Sequence, residues 1–322
     1  MKKKYIFIIV IAALMFIAFL RLDGESILYS IRQIPIWLVL LMLALQVVTQ
    51  LLVSFQWHRI AKLSGISITY RDILYVNSQG AVIDSITPGV KFGGEVTRAV
   101  QISRVGNCSG EQGAALVALQ KLFSLSAMFF ILLFVVGYLA GEVPGLSARY
   151  MQLLVYSVLS LFLLLFFAIF FMPHRIEAYM HTKKAPRFTW TRKLRGFFLM
   201  LLNHVKSVRN NKRACMMLAL LSLFIWLLYP VKMYILTVQF YPEAGMIHVA
   251  AITFAAYMVA MLPVFPGGLG GFEGTMSGLL IAMGMVVSDA VVTTVFFRFA
   301  TFWFVMLFSI AYVAVCNLRK TL

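Results

Sequence analysis

Several stretches of this chain are apolar for about twenty residues, and their length most limits how the chain can fold. A helix rises 1.5 Å per residue, so such a stretch matches the roughly 30 Å hydrocarbon layer of a membrane. Because 62% of the 322 residues are hydrophobic, a soluble globular fold is excluded. The sequence predicts an all-α integral membrane protein with about six full spans, over residues 5–20, 36–55, 112–139, 151–172, 214–238 and 290–316.

Two further apolar regions are interrupted by similar motifs rich in proline and glycine. They are Pro88-Gly-Val-Lys-Phe-Gly-Gly-Glu95 and Pro266-Gly-Gly-Leu-Gly-Gly-Phe-Glu273, and each places its glutamate seven residues after the proline. Lipid cannot satisfy the backbone groups that such breaks expose, so they must be buried in protein or line a watery cavity. The arms of the first region have about 14 residues or fewer, roughly 21 Å of helix, which is too short to cross a bilayer. We therefore predict re-entrant helical hairpins over residues 73–104 and 248–287.

The distribution of Lys and Arg predicts the orientation of the spans. The formal net charge is +17, and basic residues gather before the first span, after the second, over 174–213 and after the last. The predicted outer loops carry only Arg21, Arg32 and Arg149. The positive-inside rule thus accounts for the charge without nucleic acid, and it predicts that both termini are cytoplasmic.

In this topology the two hairpins enter the membrane from opposite sides, which is typical of an inverted-topology repeat. We predict one polytopic domain over 1–322, with halves over 1–172 and 214–322. Between them, 173–213 is a basic cytoplasmic loop. Apolar residues at helical spacing over 194–208 predict an amphipathic helix there, lying on the inner leaflet with its basic face toward anionic headgroups. A linker with ordinary inside charge is the alternative.

Two cations lie deep in the spans that follow the hairpins. Lys121 comes 26 residues after Glu95, and Arg298 comes 25 residues after Glu273. Each lies about nine or ten residues into its span, roughly 14–15 Å deep. A charge at that depth costs at least about 2.5–3.5 kcal/mol, so it requires a partner or a cavity. We predict that each cation pairs with its glutamate, as part of a transport site or as a structural clamp.

Three other ionisable residues lie in or near these regions. Arg98 has two possible roles, and Asp84 and Lys232 each have a structural one. Arg98 lies one helical turn after Glu95 and is either a ligand for a headgroup or an inside anchor. Asp84, within the first hairpin, is more typical of a cap at the break. Lys232 falls near the outer end of its span, where a lysine can snorkel to the interface. An alternative for the glycine-rich breaks themselves is a kink that allows close helix packing.

The paired motifs resemble the flippase-like family, which includes the membrane region of lysylphosphatidylglycerol synthase, the bacterial multiple peptide resistance factor. The resemblance rests on residues 87–98, on 266–273 and on Phe297-Arg298, and it covers most of the chain. It implies a fold with two re-entrant hairpins, in a prokaryotic cytoplasmic (inner) membrane, that moves or binds a lipid with a polar headgroup. Full-length members add a cytoplasmic aminoacyl-tRNA-dependent transferase domain, and we expect none in this chain.

We therefore expect a lipid translocase that moves a polar-headgroup phospholipid or a lipid-phosphate between leaflets. The alternatives are a membrane transferase or transferase subunit, with a soluble synthase partner at the basic loop, and a lipid-binding scaffold. The metalloprotease, nucleophile-elbow and P-loop motifs are absent, which favours a transporter over an enzyme. We expect membrane lipids, anionic or lipid-phosphate, as partners, and neither cofactor nor metal. A homo-oligomer is left open.

The candidate substrate-binding residues are the paired ions and the backbone of the two breaks, and no catalytic residue is predicted. Helix ends at the breaks would add dipoles and free N–H groups for an anion. The full set is Glu95, Arg98, Lys121, Glu273, Arg298, Pro88, Gly89, Gly93, Gly94, Pro266, Gly267, Gly268, Gly270 and Gly271.

Overall fold

The computed structural model describes residues 24–87, 92–139, 149–182, 189–261 and 268–321, and within these ranges it contains helices and no β-strand. The predicted all-α class is therefore confirmed. The helices are α1 (Gly24–Arg32), α2 (Ile36–Leu63), α3 (Tyr70–Ile86), α4 (Phe92–Val105), α5 (Gly110–Leu139), α6 (Arg149–Phe171), α7 (Pro173–Thr182), α8 (Thr189–Asn210), α9 (Lys212–Thr237), α10 (Met246–Ala260), α11 (Gly271–Ala282), α12 (Val287–Arg298) and α13 (Phe304–Thr321), with a π-helical segment, Phe299–Trp303, between the last two.

Four helical stretches are long and apolar enough to cross a membrane: α2, α5, α9 and the continuous run Val287–Leu318. Helices α6 and α7 meet at a bend of 79°, and they provide a fifth span if the bent pair is counted as one. Pro173 explains the bend, because proline cannot continue the preceding helix but fits the first turn of the next. These stretches coincide with five of the predicted spans. The other, over 5–20, lies outside the described residues.

The two broken regions each contain a pair of short helices. Helices α3 and α4 have 17 and 14 residues, and α10 and α11 have 15 and 12. All four are shorter than the roughly twenty residues that a span requires. Helix α3 is nevertheless longer than the arm of about 14 residues that the sequence suggested. Pro88, Gly89, Pro266 and Gly267 lie outside the described residues.

The chain divides into two compact units. The first unit comprises Met1–Thr49, Ala81–Gly94 and Leu228–Leu322, and the second comprises Gln50–Gly80 and Glu95–Leu227. Each has its own apolar core. In the first unit the core includes Met42, Met233, Phe272 and Phe297. In the second unit it includes Trp57, Leu116, Leu119 and Val205.

Side chains at the helix starts explain several boundaries. At α5, the Ser109 hydroxyl accepts a hydrogen bond from the Gln112 N–H (3.1 Å), and the Gln112 side chain accepts one from the Ser109 N–H (2.9 Å). This is a reciprocal capping box. At α9, the Asn211 side chain accepts a hydrogen bond from the Ala214 N–H at 3.0 Å. These caps satisfy backbone donors that have no partner within their own helix.

Helix α8 occupies the segment in which we predicted an amphipathic helix, but it packs differently along its length. Leu201, Val205 and Val208 are buried in the core of the second unit. Trp190 and Leu194, in the N-terminal half, are exposed. The apolar side chains of the C-terminal half are thus covered by protein, and contact of this helix with the inner leaflet stays a prediction.

Burial of His204, also on α8, lowers the pKa of its imidazole, and a hydrogen bond to the backbone of Gln112 partly opposes that shift.

Candidate functional site

Glu95, Arg98 and Lys121 form one cluster in the second unit. Glu95 lies in the first turn of α4. Its Oε1 is 2.6 Å from the Lys121 Nζ on α5 and 3.1 Å from the Arg98 Nη1 one turn along α4. The predicted Lys121–Glu95 pair therefore forms, and Arg98 joins it. The Lys121 side chain is 38% exposed, against 16% for Glu95, so a ligand can reach the ammonium.

Glycines allow the helices around this cluster to approach closely. A Cβ at Gly80, on α3, would lie only 2.5 Å from the Arg98 Nε. A Cβ at Gly113, on α5, would lie 2.4 Å from the backbone oxygen of Ala99 on α4. Both distances are shorter than any ordinary van der Waals contact. The Arg98 guanidinium thus lies directly against the backbone of α3, and α4 touches α5 backbone to backbone.

Asp84 closes the N-terminal end of α4, as the sequence suggested for this residue. Its Oδ1 accepts a hydrogen bond from the Gly94 N–H at 3.0 Å. A Cβ at Gly94 would lie 2.2 Å from the Asp84 carboxylate, and a Cβ at Gly93 would lie 2.7 Å from the Thr87 side chain. A carboxylate at a helix N-terminus is favoured by the helix dipole. The anion position that we expected at this helix end is therefore occupied by a side chain of the protein.

Glu273 and Arg298 form the corresponding pair in the first unit. Glu273 lies in the first turn of α11, and Arg298 is the last residue of α12. The Glu273 Oε1 is 2.7 Å from the Arg298 Nε, and its Oε2 accepts a hydrogen bond from the Gly270 N–H at 2.6 Å. The predicted pair therefore forms. The Glu273 carboxylate also caps α11. At the first break, by contrast, Asp84 caps α4 and Glu95 pairs with the cation.

Two aromatic rings enclose the Arg298 guanidinium. Its Cζ lies 4.8 Å from the centre of the Phe272 ring and 4.3 Å from that of Phe302. Cations at such distances from aromatic faces are attracted by the ring quadrupole. Phe302 belongs to the π-helical segment that begins immediately after Arg298, and π-helical turns occur frequently at functional sites. With a side chain only 8% exposed, Arg298 is much less accessible than Lys121.

The glycines of the second break that the structure describes lie immediately before α11 or at its first residue. Gly268 and Gly270 have φ angles of +72° and +86°, a region that side chains with a Cβ rarely adopt. A Cβ at Gly268 would also lie 2.8 Å from that of Ala260. Gly271 is the first residue of α11. These glycines turn the chain so that the Gly270 N–H points at Glu273.

The prediction for Lys232 is wrong. The sequence suggested that its side chain snorkels to the interface, but the residue has no exposed surface. Its Nζ donates hydrogen bonds to the Gln46 Oε1 and, at 3.3 Å, to the Thr49 Oγ1. It also lies 4.4 Å from the centre of the Tyr229 ring. Polar residues on α2 hold the ammonium inside the protein, which a linear count of positions along α9 could not reveal.

The basic segment contains a cavity with a cationic lining. The cavity measures about 400 Å³ and is lined by Phe171, Met172, His174, Arg175 and Arg209. Arg209 donates a hydrogen bond to the Phe171 carbonyl at 2.9 Å. Lys206 pairs with Glu177 across α7 and α8. The cavity therefore offers positive charge beside apolar side chains at the bend between α6 and α7.

Sequence reasoning missed the residues that support the paired ions. Phe302 contacts Arg298 from within the π-helical segment, and Gly80 matters because the Arg98 side chain on α4 lies against α3. For Lys232, the available signal was that the span over 36–55 contains several polar residues, Gln46 and Thr49 among them.

Comparison with known proteins agrees with this architecture. Residues 5–309 match the family described as the lysylphosphatidylglycerol synthase TM region. A UPF0104 membrane protein of Methanothermobacter thermautotrophicus is 22% identical over 325 residues, covering 97% of this chain and 95% of the relative. UPF0104 membrane proteins of Methanocaldococcus jannaschii and Pyrococcus horikoshii are each 23% identical, covering 82% and 94% of this chain and 80% and 93% of those proteins. The chain therefore belongs to the lysylphosphatidylglycerol synthase TM region family of membrane proteins.

Proposed function

We propose that this protein is a lipid translocase, which moves a phospholipid or lipid-phosphate headgroup between leaflets. The observation that carries the proposal is the pair of acid–base contacts at the two broken regions, Glu95–Lys121 and Glu273–Arg298. Ionisable residues within membrane segments are costly, and they commonly mark substrate pathways. Both pairs lie next to a helix N-terminus, which is capped by Asp84 at the first break and by Glu273 itself at the second.

The proposal also specifies how the chain crosses the membrane, which the helix bounds alone do not define. It has about six full spans and two re-entrant hairpins, over 73–104 and 248–287, related as an inverted repeat in a prokaryotic cytoplasmic membrane. Both termini are then cytoplasmic. The matched chemistry of the two breaks supports this arrangement, because each combines short helices, a capping carboxylate and a glutamate–cation pair. Inverted repeats of this kind bind substrate at interrupted helices.

At the first cluster, Lys121 is the group that would bind the headgroup phosphate. Its ammonium has three N–H donors, and the partly exposed side chain can direct donors to a ligand while Glu95 holds one of them. Arg98 keeps the carboxylate in place through its contact at 3.1 Å. Glu95 thus positions the cation, and the acyl chains of the substrate remain in the lipid.

At the second pair, Arg298 would exchange its carboxylate partner for the phosphate. The planar guanidinium suits the oxygens of phosphate, and the rings of Phe272 and Phe302 lie 4.8 Å and 4.3 Å from its Cζ. Because this guanidinium is nearly buried, the phosphate can reach it only after a conformational change. We interpret the difference in exposure as one open site and one closed site of a carrier.

The test is leaflet exchange of fluorescent phospholipids and polyprenyl phosphates in proteoliposomes. We expect exchange well above that of empty liposomes, and a loss of at least about tenfold in Lys121→Ala and Arg298→Ala, equivalent to about 1.4 kcal/mol of lost transition-state binding. The matched controls are Lys62→Ala and Arg32→Ala, since both residues are exposed and lie outside the basic segment and the two breaks. These should exchange lipid like the wild type.

Each variant must first elute as a monodisperse species with the wild-type thermal melting temperature. Wild-type protein that exchanges none of these lipids would refute a translocase. Exchange that survives both substitutions would place the pathway away from the two pairs.

A membrane transferase subunit is the second candidate. The description of the matched family as part of a lysylphosphatidylglycerol synthase favours it, and the cationic cavity at Arg175 and Arg209 offers a contact for a soluble synthase partner. The discriminating measurement is transfer of radiolabelled lysine from lysyl-tRNA to phosphatidylglycerol in membranes with and without this protein. Label that depends on this chain would support the subunit, and unchanged label would exclude it for this donor.

A further inference from the structure

Lys232 is a buried cation whose polar contacts are all neutral. It lies in α9, an apolar helix of 26 residues, and no part of it is exposed. The Gln46 amide oxygen and the Thr49 hydroxyl accept its hydrogen bonds. The Tyr229 ring, one turn earlier on α9, provides a π face at 4.4 Å. Among the described residues, no carboxylate lies within ion-pair distance of its Nζ.

The charged state of an ammonium in such a position is stabilised less than that of an ammonium paired with a carboxylate. Removing a cation from water is costly unless it is paired. Hydrogen bonds to neutral groups and a cation–π contact offset part of that cost. Loss of the proton to water leaves a neutral amine, which carries no such cost. Two charge states of Lys232 are therefore closer in free energy than for a lysine at the surface.

Gln46 can serve both charge states. An amide has an acceptor oxygen and a donor nitrogen. The oxygen accepts from the ammonium, whereas the buried Gln46 Nε2 has no acceptor among the described residues. A neutral amine has a lone pair, so the amide can turn and donate its nitrogen hydrogen to it. Release of the proton thus gives the Gln46 Nε2 an acceptor that it lacks while Lys232 is charged.

A series of aromatic contacts within the first unit connects Lys232 with Arg298. The Tyr229 ring lies 5.2 Å from that of Tyr257 on α10, and Tyr257 lies 5.1 Å from Phe272. Phe272 is one of the two rings against Arg298.

Among the described residues, the titratable or charged groups along this series are Tyr229, Tyr257 and then Arg298 with its partner Glu273, while α2 contributes the neutral Gln46 and Thr49. Charge on Lys232 therefore acts on the Arg298–Glu273 pair through an apolar medium, where charges are screened less than in water.

We propose that Lys232, held by Gln46, Thr49 and Tyr229, is a proton-binding site that couples lipid movement to a proton gradient. In the protonated state, the positive charge of Lys232 favours an anionic phosphate beside Arg298, in the place of Glu273. Release of the proton removes that attraction and favours release of the phosphate. The binding of a proton stands on the contacts of Lys232 alone, whereas the coupling rests on the proposed translocase function.

Potentiometric titration of the solubilised protein tests proton binding without any transport. Between about pH 5 and pH 9, the wild type should bind about one proton per chain more than Lys232→Met, because a buried lysine can titrate in this range. Lys212→Met is the matched control on the same helix, since Lys212 is exposed and a solvated lysine stays charged there. Equal proton uptake by wild type and Lys232→Met would overturn the proposal.

Gln46→Glu keeps the cation and gives it a carboxylate, so it tests the site even if Lys232→Met fails to fold. A salt bridge should hold both partners ionised across this range, and the additional proton should disappear. Persistence of the titration in Gln46→Glu would show that another group is responsible.

Lipid exchange under an imposed pH gradient then tests the coupling. Wild-type exchange should change by at least about threefold when the gradient is applied, equivalent to about 0.65 kcal/mol. Exchange by Lys232→Met should be the same with and without the gradient. Wild-type exchange at the same rate with and without the gradient would overturn the proposed coupling but not the proposed translocase function. Absence of any wild-type exchange would refute the translocase, and the titration would still decide whether Lys232 binds a proton.

Discussion

The carboxylates of Glu95 and Glu273 are used differently although both pair with a cation. A single oxygen of Glu95 contacts both Lys121 and Arg98. Glu273 divides its two oxygens between Arg298 and the Gly270 N–H. At the first break, Asp84 provides the helix cap instead. Glu273 therefore links the start of α11 to its cation directly, while at the first break the capping and pairing roles belong to two residues.

Gly80 leaves the space that Arg98 requires, so Gly80→Ala should disturb the first cluster. Its methyl group would fall 2.5 Å from the Arg98 Nε, and the side chain would have to leave Glu95. We expect a net loss of about 1–2 kcal/mol, from a broken charge-assisted hydrogen bond less the helix propensity gained. The measurement is the thermal melting temperature in detergent, together with lipid exchange.

The matched control for this substitution is Gly274→Ala, since Gly274 lies in the exposed part of α11 with nothing within 4 Å of an added methyl group. It should be neutral or slightly stabilising. The double variant Gly80→Ala/Arg98→Ala should melt at or slightly above the temperature of Arg98→Ala, because only the gain in helix propensity remains. Additive losses would contradict our explanation, because they would mean that the methyl group acts on something other than Arg98.

Among the elements, α4 and α5 determine how Glu95 meets Lys121. Gly113→Ala would place a methyl group 2.4 Å from the backbone oxygen of Ala99, and a backbone atom cannot turn away as a side chain can. The two helices would have to separate, at a cost of about 1–3 kcal/mol typical of overpacking. We expect a lower melting temperature and slower lipid exchange, because the separation displaces the ammonium from its carboxylate.

Gly110→Ala provides the control in the same helix. An added methyl group there meets nothing within 4 Å, so both the melting temperature and the exchange rate should stay at wild-type values. If Gly113→Ala behaved like Gly110→Ala, the close crossing of α4 and α5 would not be needed for either stability or exchange.

For the whole molecule, the proposed topology places the basic segment and the α9–α10 connection on opposite sides of the membrane. Lys193 and Glu243 are exposed residues of these two regions. We predict that Glu243→Cys reacts with a membrane-impermeant maleimide in intact spheroplasts, whereas Lys193→Cys reacts only after permeabilisation. The background for both is the Cys108→Ser/Cys215→Ser/Cys316→Ser variant, which removes the three native thiols.

The outcome against the proposed topology is labelling of both cysteines from the same side. In that case α9 would not separate the two regions across the bilayer, and the inverted relation of the hairpins would be lost.

Much of the fold could be predicted because the bilayer imposes a length. An apolar run near twenty residues has few alternatives to a spanning helix, and five predicted spans coincide with helices or with the bent pair. Proline and glycine located the breaks for a similar reason, since their effects on the backbone are local. The glutamate–cation pairs followed from the repeated spacing and from the cost of an isolated charge.

The sequence by itself thus determined the membrane class, the apolar spans and which ions would pair. Only the tertiary structure decided how α3 packs on Arg98, how Phe272 and Phe302 enclose Arg298, and how Gln46 and Thr49 bury Lys232. The physical reason is that apolar length and isolated charge act along a single segment. Enclosure depends on which faces of distant segments meet, and the order of residues along one helix does not contain that information.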